Sequence, residues 1–190
     1  GFQVIVYDQL DSYYSDQPND PSLWTIERFS EEIEEVRQGL GLQQIYLLGY
    51  SWGAVLALEY AIKHQKNLKG LILADFPAST KSFEARMQYL RTTLPPEAQR
   101  IFNELEAKGE CGSSLWQATM EQYFYPRYFC TLSVLPTEVS VSFSHLNWQL
   151  CYYFMGKNDF VVDGALKGWD RWADLPNIAV PSLILVGEHD

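Results

Sequence analysis

Five residues carry the clearest chemistry in this chain: Gly49-Tyr50-Ser51-Trp52-Gly53. This G-x-S-x-G pattern follows an apolar run, Ile45-Tyr46-Leu47-Leu48, and precedes a stretch of small and apolar residues from Ala54 to His64. A serine in a tight strand-to-helix turn is pushed out above the sheet, where its Oγ can attack an electrophilic carbon. The flanking glycines let neighbouring backbone pass where a Cβ would collide. The helix N-terminus favours developing negative charge, and the backbone amide of Trp52 is the expected oxyanion donor. The pattern predicts Ser51 as a nucleophile, against the plainer reading of a serine in a structural turn.

A nucleophilic serine needs a base and an acid, and with this turn they follow in the order acid, then histidine. Asp190 lies after a late apolar run and is the expected triad acid; Asp75, which ends an earlier run, is the reserve. None of the three histidines fits the base. His64 sits thirteen residues after Ser51 on one helix, roughly 20 Å away at 1.5 Å per residue. His145 falls in an insertion, and His189 adjoins Asp190 so that its side chain points the other way. The base is expected beyond Asp190.

The surrounding elements must hold Ser51 in place. Phe2-Gln3-Val4-Ile5-Val6-Tyr7-Asp8 reads as a buried strand, followed by a turn-rich stretch to Pro21. Thr25 caps a helix with Phe29, Ile33, Val36 and Leu40 on one face, ended by Gly39 and Gly41. Ile45–Gly49 and Leu71–Asp75 are further buried strands, with the Ala54–His64 helix between them. This alternation predicts a parallel sheet covered on both faces. From Pro77 to Trp172 it stops, and helical stretches rich in Trp, Tyr and Phe take over; Pro181–Gly187 resumes the strand pattern. The fold class is therefore α/β: a mostly parallel sheet flanked by helices, with a helical lid inserted before the strand that ends at Asp190. The expected division is an incomplete core of residues 1–76 and 173–190 and a lid of residues 77–172.

Composition narrows the partners. A net charge of −10 argues against nucleic acid and against an anionic membrane surface. No apolar run approaches the ~18 residues of a membrane span. Cys111, Cys130 and Cys151 lack metal-ligand spacing and read as plain buried thiols of a reducing compartment, so a cytoplasmic protein is expected. The chain runs from Gly1-Phe2 straight into a strand, and the true N-terminus is expected to lie upstream.

Several segments together resemble one family. Tyr7-Asp8-Gln9-Leu10, Ser15-Asp16-Gln17-Pro18 and Leu23-Trp24-Thr25-Ile26-Glu27-Arg28-Phe29 resemble the region before the nucleophile in proline iminopeptidases of the α/β-hydrolase superfamily. Gly49–Gly53 with Leu56–Ala61 is similar to that family's nucleophile turn and helix. Lys157-Asn158-Asp159-Phe160 and Lys167-Gly168-Trp169-Asp170 resemble its late lid, and Gly187-Glu188-His189-Asp190 the segment carrying its triad acid. The resemblance implies an α/β-hydrolase fold and removal of an N-terminal residue, preferentially proline, from a small peptide with a free N-terminus. It implies no metal and no cofactor. Asp159 stands where the family has a glutamate that binds the substrate amine.

The departures are as specific as the matches. Asp159 is one methylene shorter than that glutamate, and the turn after Gln9 reads Asp11-Ser12-Tyr13-Tyr14 where the family often has glycine and cysteine. The family's His-Gly-Gly-Pro-Gly oxyanion loop would precede Gly1, and its histidine base would follow Asp190. The 190 residues alone are expected to be inactive and poorly folded, because the strand bearing that loop would sit between the first two strands here. Two further readings stay open: a serine esterase or lactonase on the same scaffold, and a non-catalytic binding protein.

Overall fold

The computed structural model describes residues 1–75 and 77–188 and divides the chain into two units. Unit 1 comprises residues 1–78, 145–150 and 171–188; unit 2 comprises residues 79–144 and 151–170.

Unit 1 is built on three parallel strands, β1 (Ile45–Tyr50), β2 (Leu68–Ala74) and β3 (Ser182–Leu185), in that spatial order. Between β1 and β2 runs α2 (Trp52–His64), whose residues 54–61 are all buried. Small side chains such as Ala54, Ala57 and Ala61 let it lie close on the sheet. Helix α1 (Ile26–Gly39) begins where expected, with Thr25 Oγ1 accepting the Arg28 N–H at 3.0 Å. It ends before Gly41, whose φ of 68° is ordinary for glycine. Phe29 and Ile33 are buried as read, whereas Leu40 is the exposed C-cap.

Two expectations are corrected in this unit. Residues 2–8 form no strand, and Phe2, Val4 and Val6 are more than 80% exposed. An apolar run becomes a strand only when a neighbour takes up its backbone groups, and β1 is paired on one side alone among the described residues. The sheet is flanked by helices, but among the described residues β1 leaves one of its faces open. Tyr46, Leu48 and Tyr50 are more than half exposed, while Ile45 and Leu47, on the alternate face, are half-buried.

Unit 2 is helical: α3 (Thr80–Thr92), α4 (Pro96–Ala107), α5 (Ser114–Thr119), a π turn at Met120–Phe124, α6 (Tyr125–Tyr128) and α7 (Thr137–Ser144). Helix α8 (Trp148–Met155) supplies its last five residues to this unit. The core gathers Leu90, Leu94, Ala98, Phe102, Leu105, Trp116, Met120, Phe124 and Phe160. Edge-on ring contacts at 4.7–5.8 Å join Phe102, Trp116, Phe124 and Phe160. The three cysteines are free thiols and half-buried, not fully buried as expected. No helix of the described residues is long and apolar enough to cross a membrane.

Candidate active site

Ser51 stands at the junction of β1 and α2 with φ 50° and ψ −116°, a backbone conformation costly for a residue with a Cβ. The strain is held from both sides. The Ser51 N–H donates to Ala74 O of β2 at 2.9 Å, and Ser51 O accepts the Ala54 N–H at 2.9 Å. A Cβ at Gly49 would lie 2.1 Å from Gly53 O, so the turn can close only over glycine there. Gly53 is different: nothing lies within 4 Å of a Cβ built on it, so its proposed steric role is not borne out among the described residues.

The conformation decides what the hydroxyl does. Thr25, Ser79 and Ser113 all precede helices with extended backbone, and each side chain accepts the N–H three residues on. Ser51 also precedes a helix, but its side chain makes no cap hydrogen bond, and the residue is exposed. Its Oγ is thus held out of local backbone pairing, at the positive end of α2.

Trp52 is the first residue of α2. Its indole Nε1 donates to Gln9 Oε1 at 3.0 Å, and its ring meets Phe29 edge-on at 6.0 Å. Gln9 was legible only as part of a turn; its contact with Trp52 spans 43 residues and has no sequence signature. The turn around it is fixed by Asp11, a buried residue at φ 62°. Asp11 accepts the Trp24 indole at 2.6 Å and the Asn19 N–H at 2.8 Å, and its carbonyl accepts from Asn147 at 2.8 Å. Leu10 N donates to Glu32 Oε1 at 3.0 Å, and burial pushes the Glu32 carboxyl up. Tyr13 stacks on His145 at 3.7 Å.

Asp190, the expected triad acid, and His189 lie outside the described residues. Asp75 closes β2 at φ 52°, its N–H donating to Leu185 O of β3 at 3.1 Å. His64 sits at the opposite end of α2 from Ser51, its Nε2 3.3 Å from Glu31.

Asp159 belongs to unit 2, where it is half-buried. Its Oδ2 accepts the Trp116 indole N–H at 2.6 Å. Burial pushes its carboxyl above the usual range, and the Trp116 bond partly offsets this. The same carboxylate acts on Tyr125, whose phenol is pushed up by burial first and by Asp159 second. Trp116 and Tyr125 were legible only as aromatics at helical spacing. Among the described residues no three His, Cys, Asp or Glu side chains form a metal-binding group.

A strand, a serine in a strained turn and a close-packed helix, set in a parallel sheet, define a serine-bearing α/β scaffold. The chain belongs to the alpha/beta hydrolase fold family, which it matches over residues 1–190. It is similar to the proline iminopeptidase of Flavobacterium johnsoniae, with 36% identity over all of this chain and 65% of that protein. It is also similar to the proline iminopeptidase of Saccharolobus solfataricus, at 35% identity over all of this chain and 62% of that protein. The crystal structure of the Mycobacterium smegmatis proline iminopeptidase superposes with a TM-score of 0.86 at 29% identity, over 97% of this chain and 62% of that one. The chain thus spans slightly under two thirds of the length of these curated relatives.

Proposed function

We propose that this chain carries the nucleophile of a serine aminopeptidase that releases an N-terminal residue, preferentially proline, from small peptides. The observation that carries the reading is Ser51: strained, exposed, uncapped and set at a helix N-terminus. The likeness to proline iminopeptidases supplies the substrate class. In this reading Ser51 Oγ attacks the carbonyl carbon as a general base takes its proton, and the Trp52 N–H stabilises the oxyanion. The C–N bond breaks, the proton passes to the departing amine, and water then cleaves the acyl-enzyme. Asp190 is the acid that orients the base. Residues 77–172 act as the lid, and Asp159 takes the substrate ammonium. A carboxylate whose charged form is disfavoured by burial gains by meeting a cation.

The test is hydrolysis of a prolyl-arylamide by the full-length protein beside Ser51→Ala. Activity lost in Ser51→Ala, together with refusal of the N-acetylated substrate, supports the reading. Ser51-dependent cleavage of a simple aryl ester without turnover of the amide would move the protein to the esterase reading.

A further inference from the structure

The segment that bears Asp159 is held residue by residue, and the holding groups converge on Asn158. Its Nδ2 donates to Glu106 Oε1 at 2.8 Å, while its Oδ1 accepts the Phe160 N–H at 2.9 Å. One side chain thus bridges across Asp159 in sequence and ties the turn to α4. Glu106 is itself fixed by a two-pronged pairing with the buried Arg91, at 2.7 and 2.6 Å. Arg91 also donates to Asn103 at 2.8 Å, and its guanidinium lies 4.9 Å from the Phe160 ring centroid. On the other side of Asp159, Phe160 is fully buried, and its carbonyl accepts from Gln88 Nε2 at 3.1 Å.

The residues on both sides of Asp159 are therefore fixed independently. Burial anchors Phe160 on one side of Asp159, and on the other the Arg91–Glu106 pair seats the Asn158 amide, which in turn holds the Phe160 N–H. What the amide determines is the path of the backbone at residue 159, and so which carboxylate direction the Trp116 indole can meet at 2.6 Å. A side chain one methylene shorter than glutamate tolerates less error in that path, because it has one fewer torsion with which to recover.

We infer that Asn158, seated by the Arg91–Glu106 pair, is a positioning residue for the amine-binding carboxylate of Asp159. This rests on the proposed role of Asp159. Asn158 touches no substrate; it acts through the backbone it holds.

The experiment is a KM and kcat comparison in the full-length protein, using a prolyl-arylamide and an aryl ester that lacks an amine. Asn158→Ala is expected to raise KM for the arylamide roughly three- to tenfold, as loss of about one hydrogen bond would, with kcat little changed and the ester unaffected. Asn158→Asp should do the same: its carboxylate still accepts the Phe160 N–H but repels Glu106, so it separates positioning from simple truncation. In an Asp159→Ala background, neither change should raise KM further. An unchanged arylamide KM in both variants, an equal rise for the ester, or full additivity with Asp159→Ala overturns the inference. Failure of the underlying reading shows separately, as an unchanged arylamide KM in Asp159→Ala alone.

Discussion

A Cβ on Gly49 would lie 2.1 Å from the carbonyl oxygen of Gly53, whereas a Cβ on Gly53 would meet nothing within 4 Å among the described residues outside its own helix backbone. The two glycines of the motif are therefore not equivalent in this chain. Gly49→Ala must push the first turn of α2 away from β1, and backbone cannot yield as a side chain does. We expect a cost of about 3 kcal/mol or more and a fall in turnover of roughly a hundredfold. Gly53→Ala should fold normally. Paired thermal melts and arylamide kinetics check this; equal effects at both positions would show that Gly53 is as tightly enclosed as Gly49.

Ser51 stores strain that glycine would not. At φ 50° and ψ −116° its Cβ is disfavoured, and its hydroxyl returns nothing through a cap bond. Ser51→Gly should raise stability by about 1 kcal/mol, or roughly 2–4 °C in Tm, while abolishing turnover. A variant that is less stable than wild type would mean that the serine makes compensating contacts.

The parts of the fold that were legible share a local cause. Thr25 at a cap, Phe29 and Ile33 one helical turn apart, and Gly41 after the last turn depend on near neighbours, and α1 formed where they predicted. The parallel strands β1, β2 and β3 were legible for the same reason. What was not legible depends on distant partners. Residues 2–8 have the composition of a strand, but pairing is a property of the neighbour and not of the run. The exposure of Tyr46, Leu48 and Tyr50 likewise reflects what covers a face. At the site, Ser51 was found from a five-residue pattern, whereas Trp116 lies 43 residues from Asp159, and one indole among many aromatics carries no sequence mark of its partner.

Asp159 gives a pH dependence with a defined sign. Its pKa is raised by burial, so the protonated form is favoured in the folded protein, and stability from this group falls as pH rises through the raised pKa. Asp159→Asn should therefore stabilise the free protein at neutral pH. Amine binding runs the other way, because it needs the charged form. KM for a prolyl-arylamide should rise on acidification, beginning above the ordinary Asp value of about 3.9. Trp116→Phe removes the donor that offsets burial, and should move this limb to higher pH. A KM profile with the same acid limb in wild type and Asp159→Asn would exclude Asp159 as its source.

Unit 1 has its own charged centre between α1 and α2, and it predicts acid sensitivity independent of the site. Buried Glu34 pairs with Arg37 at 2.6 Å, accepts the hydroxyl of fully buried Tyr60 at 2.6 Å and accepts from Gln38 at 2.8 Å. Arg37 above all, then Tyr60 and Gln38, hold the Glu34 carboxyl well below the usual range; burial and Glu34 push the Tyr60 phenol up to about 12. A depressed carboxylate contributes stability that is complete above its unfolded pKa and is lost as pH falls, so the decline should set in below roughly pH 5. Tyr60→Phe keeps the ring and removes only the donor to a charged group, which should cost about 1.5–3 kcal/mol at pH 7. Glu34→Gln should be less stable than wild type at pH 7 but lose less on acidification, so that the two curves converge. Urea melts of all three proteins between pH 7 and pH 3 measure this, and parallel curves for Glu34→Gln and wild type would show that acid lability arises elsewhere.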